Sequence, residues 1–241
     1  MLLRDRFIKA GHFMFKYRSY QFIAIILILF MERNNFHDVN ESAYYDILCV
    51  AVTFSGILVR ALTVGFVHEK TSGRNTKAQN AYELNTTGAY SLVRNPLYVG
   101  NFIILFGISL LSYNFMVVFL NSIAFIVINT FIILTEEDYL LGKFGDAYLD
   151  YTRRVNCVIP SFKSYKSFSR PARKLDLYMI LRREHDSWLT AVVSLVCVEF
   201  FRDFYSNVPV METGWLVFLG IGAAAWAILK YMKKTGRLVL A

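Results

Sequence analysis

The chain has 241 residues, 56% of them hydrophobic, and a formal charge of +8; its mean hydropathy is +0.40. That hydropathy and several long apolar runs exclude an ordinary soluble domain and indicate a polytopic membrane protein. The 26 Lys and Arg, against 18 Asp and Glu, gather in membrane-flanking loops, which points to positive cytoplasmic loops and away from a nucleic-acid partner.

Cys49, Cys157 and Cys197 are widely spaced, and His12, His37, His68 and His185 each stand alone. This pattern carries neither a disulfide framework nor a metal site. Arg4, Arg6, Lys9, Lys16 and Arg18 precede a first apolar run, about Tyr20 to Met31, with no A-x-A-like cleavage site after it. It reads as a retained span that recruits Phe13 to Tyr17, not as a signal peptide. A second span runs from about Tyr44 to Val67 and contains Arg60. A charge at that depth either serves a function or snorkels to the loop.

After a polar loop with Lys70, Arg74 and Lys77, a third span runs from about Pro96 to Leu111. The tight link Ser112-Tyr113-Asn114 makes it a hairpin with a fourth, about Phe115 to Leu134. From Glu136 to Val155, Leu140, Leu141, Phe144, Tyr148, Tyr151 and Val155 recur at helical spacing opposite Lys143, Asp146, Asp150 and Arg153. The spacing predicts an amphipathic interfacial helix on the membrane surface, with Gly145 as a possible break. Residues 161–186 read as a basic linker, followed by a short fifth run, about Trp188 to Phe201, and a sixth, about Trp215 to Tyr231. Lys and Arg alternate across these loops as six spans with both termini cytoplasmic require. The expectation is thus an all-α fold of about six transmembrane helices. It divides into an N-terminal span and loop (1–43), a membrane core (44–162) and a basic linker with a two-helix extension (163–241).

Two polar motifs bracket the hairpin. In the first, Asn95-Pro96 reads as a helix start, Asn capping and Pro at the first helical position. With Arg94 beside it, the helix start makes an anion site, and Tyr98 lies one turn on. An ordinary basic flank with a tyrosine belt has the same composition. In the second, the paired acids Glu136-Glu137 end an apolar span, where they suit a cationic ligand or ligand hydroxyls, or simply stand in headgroup water. Arg153 and Arg154 follow on the surface helix.

Taken jointly, Thr87-Gly88-Ala89-Tyr90, Arg94-Asn95-Pro96-Leu97-Tyr98-Val99-Gly100 and then Glu136-Glu137, Leu140, Phe144-Gly145, Tyr148, Tyr151, Arg154-Val155 and Pro160 resemble the isoprenylcysteine carboxyl methyltransferase family and its phospholipid methyltransferase relatives. The resemblance covers about Tyr44 to Phe162. It implies an integral membrane methyltransferase with S-adenosylmethionine held at the cytoplasmic face. Nothing in the sequence requires a eukaryotic compartment, so a bacterial inner membrane is the expected location. The acceptor is a membrane lipid or a lipidated group. By the same resemblance Arg94, Asn95, Pro96, Tyr98, Glu136 and Glu137 bind cofactor, and Arg154 stands at the reacting acceptor. Asn95 replaces the family's usual His and cannot titrate near pH 7, so a proton acceptor at this position is not expected.

A sulfonium methyl needs alignment more than acid–base help, and an ionised carboxylate or phosphate acceptor needs no base. O-methylation is therefore the expected reaction. The alternatives are a phospholipid N-methyltransferase, a sterol-reductase-like NADPH oxidoreductase and a non-catalytic membrane scaffold. The Glu136-Glu137 pair disfavours the second, since it repels a dinucleotide phosphate.

Overall fold

A computed structural model describes residues 10–17, 21–35, 42–68, 81–206 and 212–237. The N-terminal cations Arg4, Arg6, Lys9 and Arg18, and the loop cations Lys70, Arg74 and Lys77, lie outside the described residues. Within the described residues the fold is all-helical, and extended backbone pairs only at a parallel bridge between Val93 and Asn156. Beyond a helical stretch over residues 10–16 and a 3-10 turn at Arg33–Asn35, the helices in chain order are α1 (Gln21–Met31), α2 (Ala43–Gly65), α3 (Ala89–Leu92), α4 (Pro96–Leu110), α5 (Phe115–Phe144), α6 (Asp146–Arg154), α7 (Phe162–Lys166), α8 (Leu177–Ser206) and α9 (Thr213–Lys234). By length and composition α2, α5 and α9 are able to cross a membrane, and α4 is a shorter apolar helix. The chain is an integral membrane protein.

Helices α2 and α4 approach at backbone distance because both carry glycine where they cross. A Cβ on Gly56 would stand 2.7 Å from the Gly100 carbonyl oxygen and the Ile104 nitrogen, inside van der Waals contact. Helix α8 lies against both, and α9 lies against α8. A shared apolar core then joins Ile25 and Leu29 of α1, Cys49 of α2, Ile108 of α4, Val117 of α5, Leu195 and Val198 of α8 and Trp215 of α9.

Two elements differ from the sequence expectation. Helix α5 does not end before Glu136. Asn114 caps its start, accepting from the Met116 and Val117 nitrogens at 2.8 and 3.3 Å, and it runs 30 residues to Phe144. At 1.5 Å per residue that is about 45 Å, well beyond a bilayer core, so Glu136 and Glu137 sit on a continuous helix that projects from the apolar layer. No proline interrupts Thr135–Phe144, and the chain turns only at Gly145 (φ 53°, ψ −127°), a conformation that side chains resist. The amphipathic stretch is therefore two pieces. The apolar face of α6, Tyr148 and Tyr151 with Val155 just beyond it, packs on Leu84 and on Leu140, Leu141 and Phe144 of α5.

Helix α8 is the second difference. It spans 30 residues rather than the short run expected, and its first turns occupy the end of what reads as linker. Asp176 explains the start, because its side chain accepts from the Met179 nitrogen at 2.8 Å, an N-cap signal inside a charged stretch.

Candidate functional site

The site begins with backbone. The segment between α3 and α4 runs beside the segment after α6. Arg94 N donates to Asn156 O at 2.8 Å and Asn95 N to Cys157 O at 3.0 Å. Tyr151 closes the same seam, its hydroxyl donating to the Tyr90 carbonyl at 2.7 Å. Farther out, Gly88 N donates to Ser169 O at 2.8 Å, so the stretch after α7 is strapped across the start of the first motif. The chain thus brings its two polar motifs side by side.

At their junction Arg94 meets Glu137 fork to fork. Nε reaches Oε1 at 2.9 Å and Nη2 reaches Oε2 at 3.0 Å, a bidentate geometry that only a guanidinium supplies. The remaining nitrogen, Nη1, donates to Val155 O at 2.7 Å. Burial opposes the charge on Arg94, but the adjacent Glu137 outweighs it and raises the guanidinium above its ordinary value. Asn95 adds a further bond, Nδ2 to Glu137 Oε1 at 3.2 Å, and also lies 3.4 Å from Cys157 Sγ. Burial, and then Glu137, pushes the Cys157 thiol up.

Asn95 does occupy the N-cap position of α4, with Pro96 at the first helical position. Its side chain, however, makes no cap hydrogen bond; it turns to Glu137 and Cys157 instead. The carboxylate across the seam offers a charge-assisted bond, which outcompetes a neutral cap. Pro96 is buried and Tyr98, one turn on, is half-buried. Glu136 is also half-buried and contributes, after burial, to raising the Tyr90 phenol. Arg94, Asn95 and Glu137 are therefore in direct contact, with Pro96, Tyr98 and Glu136 adjoining them in the chain. Arg154 is not in that cluster: its side chain is exposed, and its Nε donates to the Asp150 carbonyl at 3.1 Å.

Arg60 does not snorkel. It makes a fork with Glu184 of α8, Nε to Oε2 and Nη2 to Oε1 both at 2.9 Å, and donates to Asn101 Oδ1 of α4. Glu184, Asn101 and Cys157 escape a reading of the sequence. Their partners lie far along the chain, and only the Asp176 cap hints that Glu184 belongs to a helix.

A family model described as phospholipid methyltransferase matches residues 47–147. Over those residues the chain is similar to that family. Among curated proteins, the chain is 32% identical over 127 residues to "Protein-S-isoprenylcysteine O-methyltransferase" of Schizosaccharomyces pombe, covering 53% of this chain and 52% of that protein. It is 33% identical over 87 residues to "Nickel-cobalt-cadmium resistance protein NccN" of Alcaligenes xylosoxydans xylosoxydans, covering 36% of this chain and 40% of that protein. The matched stretches thus span about half or less of these relatives. No solved structure matches the chain.

The phospholipid methyltransferase segment contains Arg94, Asn95, Pro96, Tyr98, Glu136 and Glu137. It stops short of Arg154, Val155 and Cys157, and of all of α8. Atoms that complete the Arg94–Glu137 cluster therefore come from outside the family segment.

Proposed function

We propose that this protein is an integral membrane methyltransferase that uses S-adenosylmethionine to O-methylate a carboxylate or phosphate on a lipid-like or prenylated acceptor. The observation that carries this reading is the junction of Arg94 and Asn95 with Glu137, which unites both halves of the motif at one point. The residues present suit such a cofactor. Two half-buried carboxylates, Glu136 and Glu137, lie on the end of α5 beside the tyrosines of α3 and α6, a setting that favours a cationic group and ribose hydroxyls. When bound, S-adenosylmethionine supplies an already activated methyl.

In this reading Arg94 and Asn95 hold Glu137 in one geometry. Glu136 and Glu137 would receive the amino group and hydroxyls of the cofactor, and Pro96 and Tyr98 would shape the start of α4 beside them. Arg94 and the start of α4 together favour its carboxylate. Arg154, exposed on α6, takes the anionic oxygen of the acceptor and aligns it, an arrangement that needs no general base. The six spans and the cytoplasmic termini and site belong to the same proposal and are supported by the Lys and Arg bias of the loops; the division into 1–43, 44–162 and 163–241 and the placement in a bacterial inner membrane are part of it too. Cysteine labelling at Asn35 from the far side tests that orientation; labelling only from the cytoplasm overturns it.

Incubating membranes that contain the protein with methyl-labelled S-adenosylmethionine tests the reaction. Label in lipid or lipidated protein that mild base releases is the expected result, and no transfer overturns it. A base-stable N-methyl product supports the second reading, a phospholipid amine acceptor, which the description of the matching family model favours.

A further inference from the structure

Gly100 closes the motif that begins at Arg94, and it faces α2. A Cβ there would stand 2.6 Å from Arg60 Cγ, so the absent side chain is what admits the stem of Arg60 across α4. The guanidinium then reaches Asn101 Oδ1 on α4, both carboxylate oxygens of Glu184 on α8, and Ser187 Oγ at 3.4 Å. Glu184 is 2% exposed and Arg60 14%. Tyr98 and Asn101 stand three residues apart and so neighbour each other on the surface of α4, while Asn95 caps its start. Glu137 holds the Asn95 end of this stretch, and the Arg60–Glu184 pair holds the Asn101 end. Tyr98 lies between the two clamps.

Simple cohesion does not account for the pair. Two charges taken out of water lose hydration, and apolar residues of similar volume hold helices together as well or better. The apolar core already joins α2, α4 and α8. What a fork adds is a fixed rotation of each helix about its axis, because both nitrogens must meet both oxygens. Arg60 and Arg183 of α8 also lie close enough to Tyr90 to oppose in part the rise that burial, and then Glu136, imposes on its phenol.

We propose that Glu184, in the extension beyond the family segment, is a positioning residue for methyl transfer: it holds Arg60 against Asn101 and thereby fixes the face of α4 that presents Tyr98. The inference rests on the methyltransferase reading above. It makes α8 part of the working site and gives the extension a function that the family segment lacks.

The test uses the full-length purified chain with methyl-labelled S-adenosylmethionine and membranes of the producing cells as acceptor. Three variants are compared with wild type: Glu184→Gln, Glu184→Asp and the double variant Arg60→Met/Glu184→Leu. The double variant leaves no unpaired buried charge and is expected to melt at or above the wild-type temperature. Its kcat/KM for the methyl donor should nevertheless fall about tenfold or more, as should that of Glu184→Gln. Glu184→Asp, which keeps the anion, should retain more activity than Glu184→Gln. A folded double variant with wild-type kcat/KM overturns the inference. So does a double variant that cannot fold, because the pair is then a structural staple. Wild-type protein that neither binds donor nor transfers label sinks the methyltransferase reading instead, and the inference with it.

Discussion

Arg94 and Glu137 stand 43 positions apart, and their side chains meet fork to fork at 2.9 and 3.0 Å. Every donor-bearing nitrogen of the guanidinium is engaged, two by the carboxylate and the third by the Val155 carbonyl. This pair ties the end of α5 to the start of α4 and to the chain after α6. Arg94→Ala leaves Glu137 half-buried without its cation. It should lower unfolding stability by about 1–3 kcal/mol, the range for losing a charge-assisted contact. Arg94→Lys should lie between, because an ammonium keeps the charge but not the fork. Denaturant melts in detergent check both; equal stability of Arg94→Ala and wild type would remove the pair from any structural role.

Glu136 is the neighbouring acid. Glu136→Gln should weaken S-adenosylmethionine binding by about 1–3 kcal/mol while the fold is unchanged. Calorimetry on the folded variant reads this directly, and unchanged affinity takes Glu136 out of the proposed cofactor site.

Arg154 has a different prediction because it sits apart from the cluster and is exposed. Arg154→Ala should abolish transfer yet leave donor affinity near wild type, as expected for a residue that acts on the acceptor. A matched loss of donor affinity and turnover would place it with the cofactor instead.

Alkaline pH should destabilise the fold. Burial first, and then Glu137, raises the Cys157 thiol above its ordinary value of 9.0. Burial likewise raises the Tyr90, Tyr148 and Tyr151 phenols above 10.0. For a raised group the folded state keeps its proton longer than the unfolded chain does. Its stabilisation is full below the unfolded value and is lost as pH rises through the folded value. Stability should hold through neutral pH, begin to fall above pH 9.0 as Cys157 enters its window, and fall further above 10.0 as the tyrosines do. Cys157→Ala should remove the first step in a pH series of thermal melts; an unaltered first step assigns it to another group.

Gly145 offers a purely conformational test. It turns the chain between α5 and α6 at φ 53°, and nothing lies within 4 Å of where a Cβ would be. Gly145→Ala therefore meets no clash and carries only backbone strain, about 1–3 kcal/mol. Loss of that size should appear in equilibrium unfolding, whereas the helical and equally open Gly142 should tolerate Ala.

Local pattern was enough for much of this molecule. The apolar runs that became α2, α4, α5 and α9 are legible because a helix buries consecutive residues at a fixed period, and Asn95-Pro96 marks a helix start by local chemistry. The order of Arg94, Asn95, Glu136 and Glu137 around a hairpin is likewise a property of the chain read in line. Their contacts are not. Asn95 looks like a helix cap, but its partner is a carboxylate 42 positions away, and a charge-assisted bond wins over a neutral one once packing brings it near. Arg60 leaves two readings open in the sequence, and Glu184, 124 positions on, decides between them. That partner lay in a stretch whose density of charge reads as linker. Only the close crossing of α2 and α4 at Gly56 and Gly100, with α8 laid against both, shows that a charged turn there is buried and paired. Periodicity specifies which face of a helix is apolar; the distance and rotation at which two faces meet decide which polar groups find each other.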